Sequence, residues 1–205
     1  MRKCKFFINF DKEEQWLNDM AKQGHRFINK SSNYEFQPAK PENRLIKIDF
    51  RTFKKQADFE DYRALFEDSG WKHIAGTKKS GSQYFEKIDE HGNEDIFSDA
   101  DSKAGRYQRL SKMWLTLAVF YIPILVVLIL TNTVDPTALL NPKLLYFTPG
   151  LWERTGAYFW RSFLFETPFV FFRGFFWFFF PVMIILYFAF GIKANMHYQK
   201  TLEKL

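Results

Sequence analysis

The sequence predicts an α+β domain of two tandem βαββ units, an antiparallel sheet with two helices on one face, followed by two transmembrane α-helices. Three observations predict it: a sharp asymmetry of charge, two long uncharged apolar stretches and an internal repeat in the first hundred residues. The mean hydropathy of −0.28 and the net charge of +6 over 205 residues average two different halves. Residues 1–112 carry 22 Lys+Arg and 19 Asp+Glu, whereas residues 113–205 carry only 7 and 4. Each half has a net charge of +3, so no concentrated basic face argues for nucleic acid. The single cysteine, Cys4, excludes an internal disulfide and suits a reducing compartment, with a place in the first strand as its expected setting. No apolar run follows Arg2-Lys3, so no cleaved signal peptide is expected.

The repeat organises residues 1–97. The first unit reads Phe6-Phe7-Ile8-Asn9-Phe10 as a strand, then a helix, then Gly24-His25-Arg26-Phe27-Ile28 and Asn33-Tyr34-Glu35-Phe36 as strands. The second reads Ile46-Lys47-Ile48-Asp49-Phe50, a helix, Gly70-Trp71-Lys72-His73-Ile74 and Gln83-Tyr84-Phe85-Glu86. Asp11 is the expected cap of the first helix, with Glu13 and Glu14 near its positive end and Trp16, Leu17, Met20 and Ala21 as its apolar face. Phe59, Tyr62, Leu65 and Phe66 form the face of the second. Gly24 and Gly70 stop the helices. The turns Ser31-Ser32-Asn33 and Lys79-Ser80-Gly81-Ser82 close hairpins. Together the units imply a six-stranded, largely antiparallel sheet.

These residues carry a resemblance. Lys5-Phe6-Phe7, Asp11-Lys12-Glu13-Glu14-Gln15-Trp16-Leu17-Asn18, Met20-Ala21-Lys22-Gln23-Gly24, Tyr34-Glu35-Phe36 and Ile48-Asp49-Phe50-Arg51 resemble the DUF2812 family over roughly residues 1–110. The family is one of unknown function, and the resemblance implies a Gram-positive bacterial protein, often encoded beside a PadR-type regulator, with membrane spans after the domain. It implies regulated expression in an envelope or drug response and supplies no chemistry. The tandem units are also similar in architecture to the GyrI-like effector-binding fold, which holds small amphiphiles between helices and sheet.

Residues 98–112 are expected to form a basic juxtamembrane helix, capped by Ser98 or Asp99 and running into the first span. Lys103, Arg106, Arg109 and Lys112 are expected at the headgroups, where each basic residue gains ~1 kcal/mol from anionic lipid. Met113 to Val134 are 22 consecutive uncharged residues and Gly174 to Ile192 are 19, each long enough for a ~30 Å hydrocarbon core. We place the spans at 113–134 and 173–192; Pro123 and Pro181 are tolerated in such helices. The segment 135–172 is neutral and outside, with Asn141-Pro142-Lys143 and Thr148-Pro149-Gly150 as turns. Its Leu151–Phe165 stretch reads as an interfacial helix, with Trp152, Phe159 and Trp160 immersed and Arg154 and Arg161 at the surface. A re-entrant segment or a protein interface is the alternative. Glu166-Thr167-Pro168 is expected to break that helix before the second span. Positive flanks, including Lys193, Lys200 and Lys204 in a tail at 193–205, put both termini in the cytosol of a multi-pass bacterial cytoplasmic-membrane protein.

The chemistry-bearing residues form no catalytic pattern. His25, His73, His91 and His197 have no paired spacing, and no phosphate loop or nucleophile motif is present, so no metal, cofactor or enzymatic activity is expected. The acidic run Asp89-Glu90-His91-Gly92-Asn93-Glu94-Asp95 reads as an exposed turn. The candidate ligand site is an aromatic cleft of Trp16, Tyr34, Trp71 and Tyr84 with the carboxylate of Glu86, suited to a small cationic amphiphile; the alternative is that these aromatics, on inner faces of helix and sheet, are core. The expected partners are therefore the lipid bilayer, a protein and that ligand. The functional expectation is a membrane-anchored, non-enzymatic sensor, adaptor or regulator. The alternative is an accessory subunit of a transport or resistance system acting through its aromatic membrane half.

Overall fold

In the computed structural model the described residues are 1–89, 93–131, 136–139 and 141–203. His91 and the middle of the acidic run, the last residues of the first apolar stretch, Asp135 and Lys204 lie outside them. The chain divides into two compact units, one of Met1–Lys112 with Phe190–Leu205 and one of Met113–Ala189.

The first unit is mixed α+β. Its elements run β1 (Arg2–Lys3), α1 (Phe10–Lys22), β2 (His25–Lys30), β3 (Tyr34–Pro38), β4 (Ile46–Phe50), α2 (Gln56–Asp68), β5 (Trp71–Ala75) and β6 (Ser82–Lys87). These strands form two three-stranded antiparallel sheets, ordered β1-β3-β2 and β4-β6-β5, rather than one six-stranded sheet. β2 and β5 are neighbours, but each is bulged, at Phe27/Asn29 and at His73/Ala75. A bulge interrupts an edge ladder and twists the strand away, which opposes fusion of the sheets.

Four local expectations need correction. Phe6–Asn9 is not a strand; β1 lies four residues earlier and pairs Arg2 with Glu35 and Lys3 with Tyr34. Cys4 is exposed and outside it. Asn9, not Asp11, caps α1, its side chain accepting from the Lys12 amide at 2.9 Å, because the helix begins one residue before Asp11. On α2, Phe59 and Tyr62 are buried with Trp71 and Phe85, and Phe66 packs against them, but Leu65 is 64% exposed. Gly24 and Gly70 both have positive φ, +80° and +81°, as helix stops of this kind require.

Two helices follow that are long and apolar enough to cross a membrane: α3 (Ala100–Leu130) and α4 (Gly156–Leu202). Only 6% of the most apolar window of each is buried, unlike the core helix of a soluble protein. Asp99 caps α3, accepting from the Ser102 amide at 2.7 Å and the Ser102 hydroxyl at 2.9 Å. Within the second unit the helices meet through aromatic rings, Trp114 on Tyr187 at 5.5 Å and Tyr121 on Phe180 at 5.8 Å. Short 3-10 turns occupy Pro136–Leu139, Pro142–Leu145 and Leu151–Glu153.

The expected break at Glu166-Thr167-Pro168 is absent. α4 is one helix of 47 residues, about 70 Å long, and it starts at Gly156 rather than Leu151. Glu166 instead ties the preceding segment to α4, accepting from the Phe147 and Thr148 amides at 2.5 and 2.9 Å and pairing with Arg173 at 3.1 Å.

Gly70 supplies a test of the turn between α2 and β5. A Cβ there would lie 2.7 Å from the Asp89 Cβ, in a backbone conformation that side chains rarely adopt. Gly70→Ala is expected to destabilise the first unit by ~1–3 kcal/mol, read as a lower thermal midpoint by circular dichroism of the full chain in detergent.

Candidate functional site

The site begins with an unpaired strand edge. β4 is an outer strand of its sheet, so the outward N–H and C=O groups of Ile46, Ile48 and Phe50 have no strand partner. Such groups cost free energy when buried without a partner. Side chains from two helices take them instead. Asn18 Oδ1 accepts from the Ile46 amide at 2.8 Å, and Glu14 Oε1 accepts from the Ile48 amide at 3.1 Å. Arg106 Nη1 donates to the Ile48 carbonyl at 2.7 Å and Arg109 Nε donates to that of Phe50. The edge is thus closed by α1 and by the first turns of α3.

Arg106 is the centre of this closure. Its side chain is fully buried, pairs with Glu14 and Asp11, and packs over the rings of Phe10, Phe97 and Tyr107 at 5.2–5.3 Å. Burial works against its charge, but Glu14, Tyr107 and Asp11 outweigh that and hold its pKa above the ordinary value. Tyr107 accepts from the Phe10 amide at 3.0 Å and donates to Asp11 Oδ2 at 3.2 Å. His197, from the end of α4, packs its ring at a tilt against Tyr107 at 5.4 Å, and the Asn9 amide reaches its Nδ1 at 3.4 Å.

Asp49, on β4, forms a second centre. Its Oδ1 accepts from the Phe50 amide at 2.7 Å and from Arg109 Nη2 at 2.6 Å, and its Oδ2 accepts from the Tyr62 hydroxyl at 2.9 Å. Burial and then the Asp49 carboxylate push the Tyr62 phenol well above its ordinary pKa.

Three of the four juxtamembrane cations expected at lipid headgroups are therefore turned inward. Arg106 and Arg109 hold the β4 edge, and Lys103 pairs with Asp95 at 2.7 Å. Lys112 is exposed. In the second unit Trp152 and Trp160 are 44% and 58% exposed and Arg161 is exposed, while Arg154 donates to Ser162 Oγ at 2.6 Å and to the Pro149 carbonyl.

Of the five residues named for an aromatic cleft, Tyr34, Trp71, Tyr84 and Glu86 are buried and Trp16 is partly buried. Tyr34 and Tyr84 meet at Glu13, both donating to Oε1, at 2.6 and 2.7 Å, with Lys30 at 3.2 Å. Trp16 lies edge-on to Tyr34 at 4.8 Å. Glu86 is ion-paired with Arg44 and Arg26. Trp71 belongs to the separate cluster beneath α2. The sequence reading assigned Glu13 and Glu14 only to the helix dipole. Their spacing from Leu17 and Ala21 put them on the buried face, which was the available signal.

A family model described as protein of unknown function (DUF2812) matches residues 9–119. The match runs through Arg106 and Arg109 into the first apolar stretch, so it spans both partners of the edge closure. No curated protein and no solved structure matches the chain.

Two outcomes test this site. Arg106→Met strands Glu14 beside the β4 edge and is expected to cost about 3–5 kcal/mol, with much of the loss recovered in Arg106→Met/Glu14→Gln, as measured by denaturant unfolding. The pKa of His197 is lowered by burial first and then by Lys200 and Lys193, against Asp11. That of His73, beside Gln83 at 2.9 Å, is lowered chiefly by burial. Below about pH 6.5 the unfolded chain binds more protons at both, so stability is present above that pH and falls as pH drops. Thermal midpoints from pH 7.5 to 5 are expected to fall, and less steeply in His73→Gln/His197→Gln.

Proposed function

The chain belongs to the DUF2812 family, and on the geometry of its matched segment we propose that it is a membrane-anchored, non-enzymatic regulatory protein. In this reading the α+β domain is a cytosolic sensor or adaptor module built of tandem βαββ units, and α3 and α4 carry the two spans. The observation that carries the proposal is Arg106. The helix that continues into the first apolar stretch contributes a fully buried side chain to the domain's own strand edge. A module tied to its membrane helix by its interior suits transmission between a cytosolic partner and the membrane better than loose tethering does.

Two further observations support it. The segment leading into the first apolar stretch, up to Lys112, and the end of the second, from Phe190, belong to one compact unit, which fits a hairpin with both termini on the same side. The buried carboxylates of Glu13, Glu14, Asp49 and Glu86 are each engaged by hydrogen bonds or ion pairs, as expected of structural rather than catalytic acids. The accessory reading draws on a different feature, an apolar cavity of about 540 Å³ lined by Leu145 and by α4 between Val170 and Val182.

Exchange of residues 113–189 for an unrelated two-span hairpin separates the readings. The regulatory reading expects the chimera to restore the phenotype of a strain lacking the gene under envelope-active challenge, and Arg106→Met in the chimera to abolish that rescue. Failure of the folded chimera to rescue, where the intact chain does, supports the accessory reading. External labelling of a cysteine placed at Lys143 is expected; a site reached only after lysis overturns the topology.

A further inference from the structure

We infer that the first unit binds a small anionic amphiphile, a phosphate or carboxylate carrying an apolar body, in the cleft between α2 and the first turns of α3. The inference deepens the regulatory reading and rests on it, because it supplies that module with a ligand. The cleft has a volume of about 400 Å³, within the range of small-molecule sites. None of the five aromatic and acidic residues singled out from the sequence lines it.

Its charge preference follows from what is already engaged. Asp49 is the buried acid of its wall, and both its oxygens are taken by Tyr62, Arg109 and the Phe50 amide. The two cations are less fully used. Arg51 Nε stands 3.9 Å from Asp49 Oδ2, an ion pair without a hydrogen bond, and its guanidinium lies over the Tyr62 ring at 5.5 Å. Arg109 gives Nε and Nη2 to Phe50 and Asp49, while its Nη1 makes no hydrogen bond among the described residues. Open donors therefore outnumber open acceptors among Asp49, Arg51 and Arg109. Asp101, the other acid lining the cleft, is exposed, as is Arg51, and water and salt screen both, so the less exposed Arg109 weighs most in the charge preference. Tyr62, Phe66, Phe97 and Tyr198 provide apolar and stacking surface beside the cations.

Gly105 gives an independent indication. It lies inside α3 and lines the cleft, although glycine in a helix interior costs about 1 kcal/mol relative to alanine. A Cβ at Gly105 would sit 3.2 Å from Arg109 Nη1, the donor left open. Its missing side chain keeps a ligand's path to that donor clear. Arg109 also precedes the apolar stretch at Met113 by four residues, about 6 Å of helix. The anion can thus belong to a lipid headgroup or to a soluble organic acid; the chemistry recognised is the same.

The test uses the full chain in phosphatidylcholine nanodiscs, titrated calorimetrically with phenyl phosphate, with phenyltrimethylammonium as the cationic counterpart. Thermal midpoints are read in parallel with and without phosphatidylglycerol in the discs. Phenyl phosphate is expected to bind at least tenfold more tightly than the cation. Arg51→Gln, a half-exposed loop position, and Gly105→Leu, which fills the cleft, are each expected to weaken it at least fivefold. Thermal midpoints of both variants without ligand are compared with that of the unaltered chain, so lost binding is distinguishable from lost folding. Competition by phosphatidylglycerol, or stabilisation by it that Arg51→Gln removes, identifies the lipid headgroup as the source; anion binding without competition identifies a soluble acid. Equal affinity for the cation, anion binding unchanged in both variants, or no response to either phenyl phosphate or phosphatidylglycerol overturns the inference. None of these results depends on rescue by the chimera, so the two readings fail separately.

Discussion

The closure of the β4 edge is the constraint on which the rest of the first unit depends. A strand with one free edge must hide its backbone groups in another strand, in water or in side chains. Here Asn18, Glu14, Arg106 and Arg109 supply side chains, and each comes from a helix rather than from a neighbouring strand. A strand added at β4 would have to displace all four. The same contacts set the position of α1 and the first turns of α3 against β4. The ion pairs of Arg106 are then consequences of that solution: a guanidinium placed on a buried carbonyl needs carboxylates beside it, and Glu14 and Asp11 provide them.

The closure also explains why a buried aspartate, Asp49, lies between Ile48 and Phe50 in β4. Its backbone pairs with Gln83 of β6, while its side chain turns to Arg109 and Tyr62. An aliphatic residue there would leave Arg109 close to the Phe50 carbonyl with no counter-charge. Asp49 thereby links strand, α2 and α3, and the wall of the cleft is formed from those links. The donors that remain open, on Arg51 and Arg109, are what the edge closure leaves over.

Much of the first unit was legible from sequence, and the failures have physical causes. β2 to β6, α1 and α2 follow from alternation, helical spacing and the glycines at 24 and 70. β1 was misplaced because Phe6-Phe7-Ile8 has strand composition, yet these residues serve as packing: Phe7 lies against Trp16 at 5.5 Å. The edge closure was illegible because its bonds join residues 28 to 59 positions apart, and nothing local marks Arg106 as different from Lys112. Topology rules assign both to the headgroups by composition alone, whereas one is buried and the other exposed. The candidate cleft was missed for the same reason, since its walls come from α2, the segment before α3, α3 itself and the end of α4.

Glu166-Thr167-Pro168 shows the limit of punctuation signals near apolar helices. In water, proline in a helix interior costs ~3 kcal/mol and usually marks an end. The helix nevertheless continues here, because the neighbouring polar groups act elsewhere. Thr167 Oγ1 bonds the Phe163 carbonyl at 2.6 Å, and Glu166 accepts two amides of the incoming segment. Arg173, one to two turns further on, pairs with the same carboxylate, donates to the Leu145 carbonyl and lies over the Phe147 ring at 4.0 Å. The pattern parallels the β4 edge in that a buried carboxylate and arginine side chains from helices satisfy backbone groups that no strand pairs, although here both lie on one helix and at β4 they come from two. In both units, ion pairs serve to close exposed backbone, so their replacement by apolar residues must be judged by the amides and carbonyls left behind as well as by the charges removed.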